Sequence, residues 1–373
     1  MSFISFAFHP QINAGISAAG YSTPTLIQLR TIPPILAGRD VLGLAQTGTG
    51  KTAAFVLPIL QRLLKGPRGK LRALILSPTR ELAEQTHTAI GGLGRQTGLR
   101  SVTIYGGVSA VPQIKGLRAG VEMAVACPGR LLDLMGQHAV NLKGIEVLVL
   151  DEADRMFDMG FLPDIRRILA ALPTPRQTLL FSATMPPEIR SLANEFLRNP
   201  VTVDLGVSRP VETVSHAVYP VEQTRKVELL LAILRMSSSG QVLVFTRTKH
   251  RAKKLAEQLI KAGLSATSLQ GNLSQNRRQE AMDNFRRGRV KVLVATDIAA
   301  RGIDVTQISH VINYDMPDTA DAYTHRIGRT GRMTKLGTAL SLVTQEDLPM
   351  IRTIERLLGR SLERRKQTGY EAG

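Results

Sequence analysis

Short apolar runs alternate with longer amphipathic stretches over residues 41–203. The runs are apolar at nearly every position, which is typical of strands covered on both faces: VLGLA (41–45), LRALILS (71–77), RSVTIY (100–105), VEMAVA (121–126), IEVLVL (145–150) and QTLLFS (177–182). Amphipathic stretches such as 80–90 and 186–198 predict helices between them. This alternation predicts an α/β fold with a parallel sheet and helices on both sides.

A second series of the same kind follows residue 211. It predicts strands at QVLVF (241–245), LSATSL (264–269), VKVLVA (290–295), SHVINY (309–314) and TALSLV (338–343), and a helix at 248–262. Between the two series, DLGVSRPVE (204–212) has no periodicity and indicates an exposed linker. The sequence therefore predicts α/β domains at 1–205 and 213–360, a linker at 206–212 and a short basic tail at 361–373.

Charge narrows the choice of partner. The 373 residues include 48 Lys and Arg against 30 Asp and Glu, a net charge of +18. The hydrophobic fraction of 43% can build a sizeable core, so this charge belongs to a folded protein. Such an excess attracts polyanions, which are nucleic acid, acidic membrane surfaces or acidic proteins.

Cysteine content and hydropathy indicate the compartment. Cys127 is the single cysteine, so a disulfide framework is excluded and a reducing environment is expected. No run of eighteen apolar residues occurs, and the start MSFISFAFHP has no basic leader. We therefore expect a cytoplasmic protein without a membrane segment.

The stretch AQTGTGKT, residues 45–52, lies between a predicted strand and a predicted helix. Gly48 and Gly50 allow backbone N–H groups to point at a phosphate, Lys51 reaches the outer phosphates, and Thr52 can orient Mg²⁺. The P-loop pattern has Gly where this chain has Ala45, and a glycine-rich turn without chemistry is the alternative. We predict nucleotide contacts from Ala45, Gln46, Thr47, Gly48, Thr49, Gly50, Lys51 and Thr52.

A carboxylate cluster follows the predicted strand IEVLVL, at the sheet edge where open α/β sheets bind ligands. In this cluster Asp151 is the candidate ligand of Mg²⁺, together with Thr52, and Glu152 the candidate to polarise the water that attacks the γ-phosphate. A solvated acidic loop is the alternative interpretation. Together with the P-loop, the cluster predicts hydrolysis of a nucleoside triphosphate.

The order and wording of these motifs resemble DEAD-box ATP-dependent RNA helicases, and most of all the bacterial RhlE type, from Phe3 to about Gly359. The resemblance implies two tandem RecA-like domains, ATP and Mg²⁺ as cofactors, and RNA bound through its backbone without sequence preference. It implies a monomer, with proteins of ribonucleoprotein complexes, the degradosome or ribosome assembly as further partners.

The first predicted domain carries further motifs of that family. GYSTPTLIQ, residues 20–28, is similar to its Q motif. This implies that Gln28 binds adenine and that Phe3 stacks on it. From the residues alone, Gln28 would be an amide on a helix surface and Phe3 a buried aromatic. SAT, residues 182–184, matches the motif that couples hydrolysis to strand separation, with Ser182 and Thr184 bonding Asp154. Three motifs imply RNA contacts from Pro78, Thr79, Arg80, Gly107 and Arg130; Cys127 replaces the usual Thr.

The second predicted domain carries the complementary motifs. Their resemblance implies RNA contacts from Thr246, Arg247, Gly271, Gln275, Arg278 and Thr296, and nucleotide contacts from Gly302 and Asp304. Gln270 stands where relatives commonly have His. HRIGRTGR, residues 325–332, implies arginine fingers at Arg329 and Arg332, and an Arg326 that pairs with the acidic motif.

These motifs predict that ATP and RNA both favour closure of the two domains and hence each other's binding. Closure would bend one strand of a short duplex and expel the other, without processive tracking. A DNA translocase of the same superfamily and an ATP-gated RNA clamp or annealing chaperone stay open as alternatives. A peripheral membrane role has the least support, because no basic amphipathic stretch stands apart from the two domains.

Overall fold

The computed structural model describes residues 2–46, 48–205, 214–236, 240–300, 308–330 and 337–365. The chain divides into two compact units, Met1–Ser208 and Arg209–Gly373. Each unit contains a seven-stranded sheet within the described residues. Every strand pair in both sheets is parallel, which confirms the predicted α/β class.

The first sheet has the strand order β3-β4-β2-β5-β6-β1-β7. Its strands are β1 (Val41–Leu44), β2 (Ala73–Leu76), β3 (Ser101–Ile104), β4 (Met123–Ala126), β5 (Val147–Leu150), β6 (Gln177–Ser182) and β7 (Val201–Asp204). Its helices are α1 (Pro10–Ala18), α2 (Leu26–Leu36), α3 (Lys51–Leu63), α4 (Arg80–Leu93), α5 (Val111–Arg118), α6 (Pro128–Gly136), α7 (Ala153–Asp158), α8 (Leu162–Ala170) and α9 (Pro187–Phe196). A 3-10 turn at Phe3–Phe6 precedes them.

Helices on both faces explain why the central strands are apolar throughout. In β2, Ile75 packs into one core with Val125 and Val149. Its neighbours Leu74 and Leu76 point the other way, into a second core. Because successive strand residues alternate between faces, burial on both faces requires an apolar residue at every position.

The second sheet has the order β10-β11-β9-β12-β13-β8-β14. Its strands are β8 (Val214–Pro220), β9 (Gln241–Phe245), β10 (Ala266–Leu269), β11 (Val292–Ala295), β12 (Ile308–Asn313), β13 (Gly337–Val343) and β14 (Glu363–Arg364). Its helices are α10 (Lys226–Met236), α11 (Lys249–Lys261), α12 (Gln275–Arg286), α13 (Asp297–Ala300), α14 (Ala320–Ile327) and α15 (Leu348–Leu358). Two 3-10 turns lie at Gln223–Arg225 and Gln345–Asp347.

Three strands, β7, β8 and β14, are absent from the sequence prediction. β7 is an edge strand with one buried position, Val203, and β14 is an exposed two-residue edge strand, so neither has an apolar run. β8 includes His216, which interrupts its hydropathy. The predicted tail begins beside β8, because the Arg365 N–H donates to the Val218 carbonyl at 2.9 Å. The predicted linker at 206–212 lies outside the described residues.

None of the helices in the described part of the chain combines the length and the apolar character of a membrane span.

His216 is a buried histidine in β8. Its Nδ1 lies 2.9 Å from the Tyr323 hydroxyl, and its buried Nε2 has no hydrogen-bond partner among the described residues. Burial, and then the positive charge of Arg360, lowers the pKa of His216 to about 4. The folded protein therefore keeps this imidazole neutral at pH values where an unfolded chain protonates it.

We expect His216 to make folding less favourable in acid. Its pKa is lower in the folded chain than in the unfolded one, so protonation favours the unfolded chain. The free energy of unfolding is therefore unaffected by this group above the unfolded pKa of about 6.5. It falls as pH drops from there to about 4, by up to about 1.4 kcal/mol per pH unit. Urea unfolding of the wild type and of His216→Gln, at several pH values, measures this. An equal pH dependence in both proteins would contradict it.

Candidate nucleotide and nucleic-acid site

The carboxyl edge of the first sheet gathers the motifs of the first unit. β1, β6 and β5 are neighbours, and the P-loop, SAT and acidic motifs follow them in that order. The proposed RNA motifs follow β2, β4 and β3, which form the other half of the sheet. We call the two parts of this edge the nucleotide half and the nucleic-acid half, after the predicted roles of their motifs.

The P-loop turns sharply after β1 and enters α3. Gly48 and Gly50 have φ of 87° and 93°, a region that favours glycine. Lys51 is buried, and its Nζ donates to the Ala45 carbonyl at 2.7 Å. The Thr49 hydroxyl donates to the Gln46 carbonyl at 2.8 Å. The loop is therefore shaped by its own contacts, and Lys51 must leave the Ala45 carbonyl to reach a phosphate.

Gln28 links the proposed Q motif to the P-loop. It is fully buried in α2; its Oε1 accepts from the Thr25 N–H at 2.9 Å and its Nε2 donates to the Gly50 carbonyl at 3.1 Å. A Cβ at position 50 would lie 2.6 Å from that Nε2, so glycine is required there for contact as well as for φ. Phe3 is buried too, with its ring centroid 6.0 Å from that of Tyr21.

The acidic motif begins where β5 ends. Glu152 is buried at the start of α7 with φ of 54°, and its Oε2 accepts from Arg155 Nη1 at 2.7 Å. Such a left-handed residue costs on the order of 1 kcal/mol, which the buried ion pair helps to offset. Burial, and then the Glu152 charge, raises the pKa of Asp151 to about 7, while Lys51 and Arg155 act against this.

Asp154 joins the acidic motif to the SAT motif. Its Oδ2 accepts from the Ala183 N–H at 3.2 Å, the Thr184 N–H at 3.0 Å and the Thr184 hydroxyl at 3.1 Å. Its own N–H donates to the Ser182 hydroxyl at 3.2 Å. The end of β5 and the loop after β6 are therefore in direct contact.

The residues at this edge fit Mg²⁺. The Asp151 carboxylate and the Thr52 hydroxyl offer oxygen ligands, which this ion prefers, and Mg²⁺ is commonly held by one or two carboxylates together with substrate phosphates. The raised pKa of Asp151 shows a carboxylate whose charge is incompletely compensated. Nowhere in the described residues do three or more His, Cys, Asp or Glu side chains group as metal ligands.

The nucleic-acid half presents arginines on well-fixed loops. Thr79 caps α4 by accepting from the Leu82 N–H at 3.3 Å, and Arg80 lies over the Tyr105 ring at 5.7 Å. A Cβ at Gly107 would overlap the Arg80 guanidinium, so the two motifs are in contact. Pro78 precedes Thr79 on the same loop.

Arg130 anchors the third loop. Its Nη2 donates to the Val108 carbonyl at 3.1 Å, and its Nε lies 3.3 Å from Asp133. Its Nη1 is buried without a partner among the described residues. Cys127 precedes α6 at the N-cap position, and its side chain makes no capping hydrogen bond. Burial raises the pKa of the Cys127 thiol to about 12.

In the second unit, the proposed RNA motifs follow the neighbouring strands β9, β10 and β11. Asp315 orders the loop after β9, because it accepts from the Arg247 N–H at 2.9 Å and from Arg251 Nη1 at 2.6 Å. Thr246, which precedes Arg247, is fully buried. Gln270 is buried, and its Oε1 accepts from the Asn272 N–H at 2.6 Å. Gly271 is exposed, Arg278 lies in α12 and Thr296 follows β11.

Arg326 is held inside its own unit. Its guanidinium binds Asp297 through Nε and Nη2 at 2.6 and 2.7 Å, and its Nη1 donates to Asn313 Oδ1 and the Asp315 carbonyl at 3.0 and 2.6 Å. Four of its five N–H groups are thus used there. The predicted pairing with the acidic motif stays a prediction, and within its unit the buried Arg326 lies three residues before Arg329.

Arg329 is buried two residues after α14. Four predicted residues lie outside the described residues: Thr47, Gly302, Asp304 and Arg332. The side chain of Gln275 is not described either.

Sequence reasoning missed three residues that hold the motifs in place: Arg155, Asp297 and Asp315. Arg155 could have been found from its i+3 spacing to Glu152 at a helix start. Asp297 is adjacent to Thr296 within a motif already singled out. Asp315 had no signal, because its partners are 64 and 68 residues away in the sequence.

Family models match both units. The model described as DEAD/DEAH box helicase matches residues 25–192, and that of the helicase conserved C-terminal domain matches residues 225–334.

Individual proteins are similar over most of the chain. The RNA helicase CrhR of Synechocystis is 45% identical over 346 residues, 92% of this chain and 70% of that protein. The ATP-dependent RNA helicase DeaD of Mycobacterium tuberculosis is 42% identical over 366 residues, 97% of this chain and 64% of that protein. The structure of Saccharomyces cerevisiae Dbp5 bound to RNA and ADP BeF3 is 32% identical, with a TM-score of 0.87 over 98% of this chain and 95% of that one.

Replacing Cys127 by Thr should stabilise the protein. A threonine hydroxyl at this N-cap can accept from a free N–H of α6, a contribution of about 1 kcal/mol. Cys127→Val has the shape of threonine without the hydroxyl and is the matched control. Thermal unfolding should place Cys127→Thr above Cys127→Val; an equal midpoint for the two would exclude a capping role.

The link from Gln28 to the P-loop should matter for nucleotide affinity. Gln28→Glu keeps an acceptor for the Thr25 N–H but removes the donor to the Gly50 carbonyl, and it buries a charge. We expect at least tenfold weaker binding of an ATP analogue in equilibrium titration. The exposed Gln137→Glu is a control for the added charge, and wild-type affinity in Gln28→Glu would contradict the link.

Proposed function

Because the chain belongs to the DEAD-box family of ATP-dependent RNA helicases, we propose that it locally unwinds short RNA duplexes or remodels RNA–protein complexes by closing its two units around ATP and RNA. The observation that carries this proposal is the set of three hydrogen bonds between Asp154 and the SAT loop. They join the acidic motif to the SAT motif by direct contact. A change at the acidic motif can thereby reach the motif that the resemblance implies couples hydrolysis to strand separation.

The first unit supplies the hydrolytic groups. Lys51 binds the outer phosphates once it leaves the Ala45 carbonyl, and Glu152 orients the attacking water. Asp151 and Thr52 would hold Mg²⁺, which neutralises phosphate charge when bound. The buried ion pair to Arg155 fixes the Glu152 carboxylate, so that its position does not depend on solvent.

RNA binding uses backbone contacts. Arg80, Arg130 and Arg247, with the hydroxyls and N–H groups of their loops, suit phosphates and 2′-hydroxyls rather than base edges. Binding is therefore independent of sequence, and the affinity falls with salt.

The second unit completes the site through its arginines. Arg329 and Arg332 act as arginine fingers on the γ-phosphate, which contributes about 10³ to 10⁵ in rate. Arg326, held by Asp297, fixes the turn before them. Since Lys51 and the fingers belong to different units, one phosphate meets both only after closure, so ATP and RNA strengthen each other's binding.

Several finer points stay predictions: the RhlE type, the monomeric state, a cytoplasmic location and partners from ribonucleoprotein complexes, the degradosome or ribosome assembly. The chain spans 70% of CrhR and 64% of DeaD, so the activity of those whole proteins is carried over here as a proposal.

The role of Glu152 is tested by RNA-stimulated ATPase assays of Glu152→Gln. We expect turnover to fall by at least 10²-fold, because the amide cannot accept a proton from the attacking water, while affinity for an ATP analogue is retained. Glu188→Gln, an exposed position in α9, is the matched control. Wild-type turnover in Glu152→Gln would refute the assignment.

Duplex displacement separates unwinding from the alternatives. Release of a short strand from an RNA duplex that requires ATP supports the helicase. Binding without displacement would indicate a clamp or annealing chaperone, and equal stimulation by DNA and RNA would indicate a DNA translocase.

A further inference from the structure

Five exposed cations lie on loops at the amino edge of the first sheet, opposite the motifs, and a sixth, Arg118, is the last residue of α5. The loops precede β2, β3 and β4, the same strands whose carboxyl ends lead to the proposed RNA motifs. Four-residue strands separate the two edges by about 13 Å. We call this cluster the distal basic surface: Lys65, Arg68, Lys70, Arg95, Arg100 and Arg118.

Direct contacts bring the three loops together. Glu122 is buried, and its two carboxylate oxygens accept from the Gly69 N–H at 2.6 Å and the Arg100 N–H at 2.8 Å. Arg68 Nη2 donates to the Thr97 carbonyl at 3.1 Å, and Arg100 Nη2 donates to the Ala119 carbonyl at 3.3 Å. The cations are thus presented by a connected set of loops rather than by separate ones.

The distal basic surface has little opposing charge. Glu122, the acidic residue of these loops, is buried and engaged with backbone N–H groups. Among the described ion pairs of the unit, none involves any of the six cations. Residues 1–208 carry 21 basic and 14 acidic residues, a net charge of +7, and six of those 21 basic residues belong to the distal basic surface.

Helix dipoles explain only part of this placement. α3, α4 and α5 end at this edge, and cations in a last helical turn are stabilised there. That effect falls off within one turn, whereas Arg68, Lys70 and Arg100 lie at least five residues beyond the ends of their helices. Arg68 and Arg100 also join the loops through their hydrogen bonds to backbone carbonyls, whereas the described contacts give Lys70 no such structural role.

We propose that the distal basic surface binds the phosphates of RNA that extends beyond the motif-lined edge; this rests on the proposed function. Clustered cations suit a phosphate backbone. A protein partner would call for apolar or aromatic residues at the centre, and none of the large exposed apolar side chains of the described chain belongs to these loops. The surface lengthens the RNA footprint without adding sequence preference.

The test uses the triple variant Arg68→Gln/Lys70→Gln/Arg100→Gln in the full chain. The Glu122 contacts are made by backbone N–H groups, so they remain. The matched control, Arg166→Gln/Arg167→Gln/Arg190→Gln, removes three exposed cations from α8 and α9. Affinities are measured with an ATP analogue for a strand of about 10 nucleotides, a typical single-strand site, and for one four times as long, over a salt series.

On the longer RNA, we expect the log–log salt slope of the triple variant to be shallower than that of the wild type by about 2, from about 0.7 per phosphate contact. Between about 50 and 200 mM salt, the wild type should then lose about twentyfold more affinity than the variant. Affinity for the shorter RNA, and both affinities of the control, should equal those of the wild type.

Three results would overturn the proposal: a wild-type slope on the longer RNA, an equal loss on the shorter RNA, or an equal loss in the control. If the triple variant kept the wild-type RNA affinities but lost binding of polyglutamate, the surface would be assigned to an acidic protein partner instead. The proposed function is judged separately, since the shorter RNA must stimulate the wild-type ATPase whether or not the distal basic surface binds RNA.

Discussion

Three carboxylates lie buried within four residues at the end of β5, and burying that much charge is costly unless each group is compensated. Glu152 is paired with Arg155, and Asp154 accepts three hydrogen bonds from the loop after β6. Asp151 is compensated least, with its pKa raised despite the nearby Lys51 and Arg155. The start of α7 and the SAT loop are held by these contacts.

The second unit buries a positive charge, which also has to be compensated. Arg326 is buried, and its charge is compensated by the bidentate contact to Asp297 and by two further acceptors. Asp315 fixes both the Arg247 backbone and Arg251. Each unit therefore holds these side chains by contacts within itself. Such contacts reduce the ordering that ligand binding must supply at those side chains.

The sequence predicts the central strands well because burial on both faces demands an unbroken apolar run. β2, for instance, was predicted as 71–77 and is Ala73–Leu76. The edge strands β7 and β14 are not predicted, because an exposed edge strand does not need an unbroken apolar run. Many motif residues are predicted from a short pattern at one strand end, whereas Phe3 and Gln28 are predicted from the family resemblance alone. Asp315 is not predicted, since its contacts join distant segments and leave no local pattern.

We propose that ATP and RNA stabilise a common state of the protein and therefore strengthen each other's binding. A thermodynamic box tests this: the affinity for a short RNA is measured with and without a non-hydrolysable ATP analogue, and the affinity for the analogue with and without that RNA. Each ligand should tighten binding of the other by the same factor, within the range of about 5- to 150-fold typical of coupled sites. Independent binding, with a factor of one in both directions, would exclude a shared state.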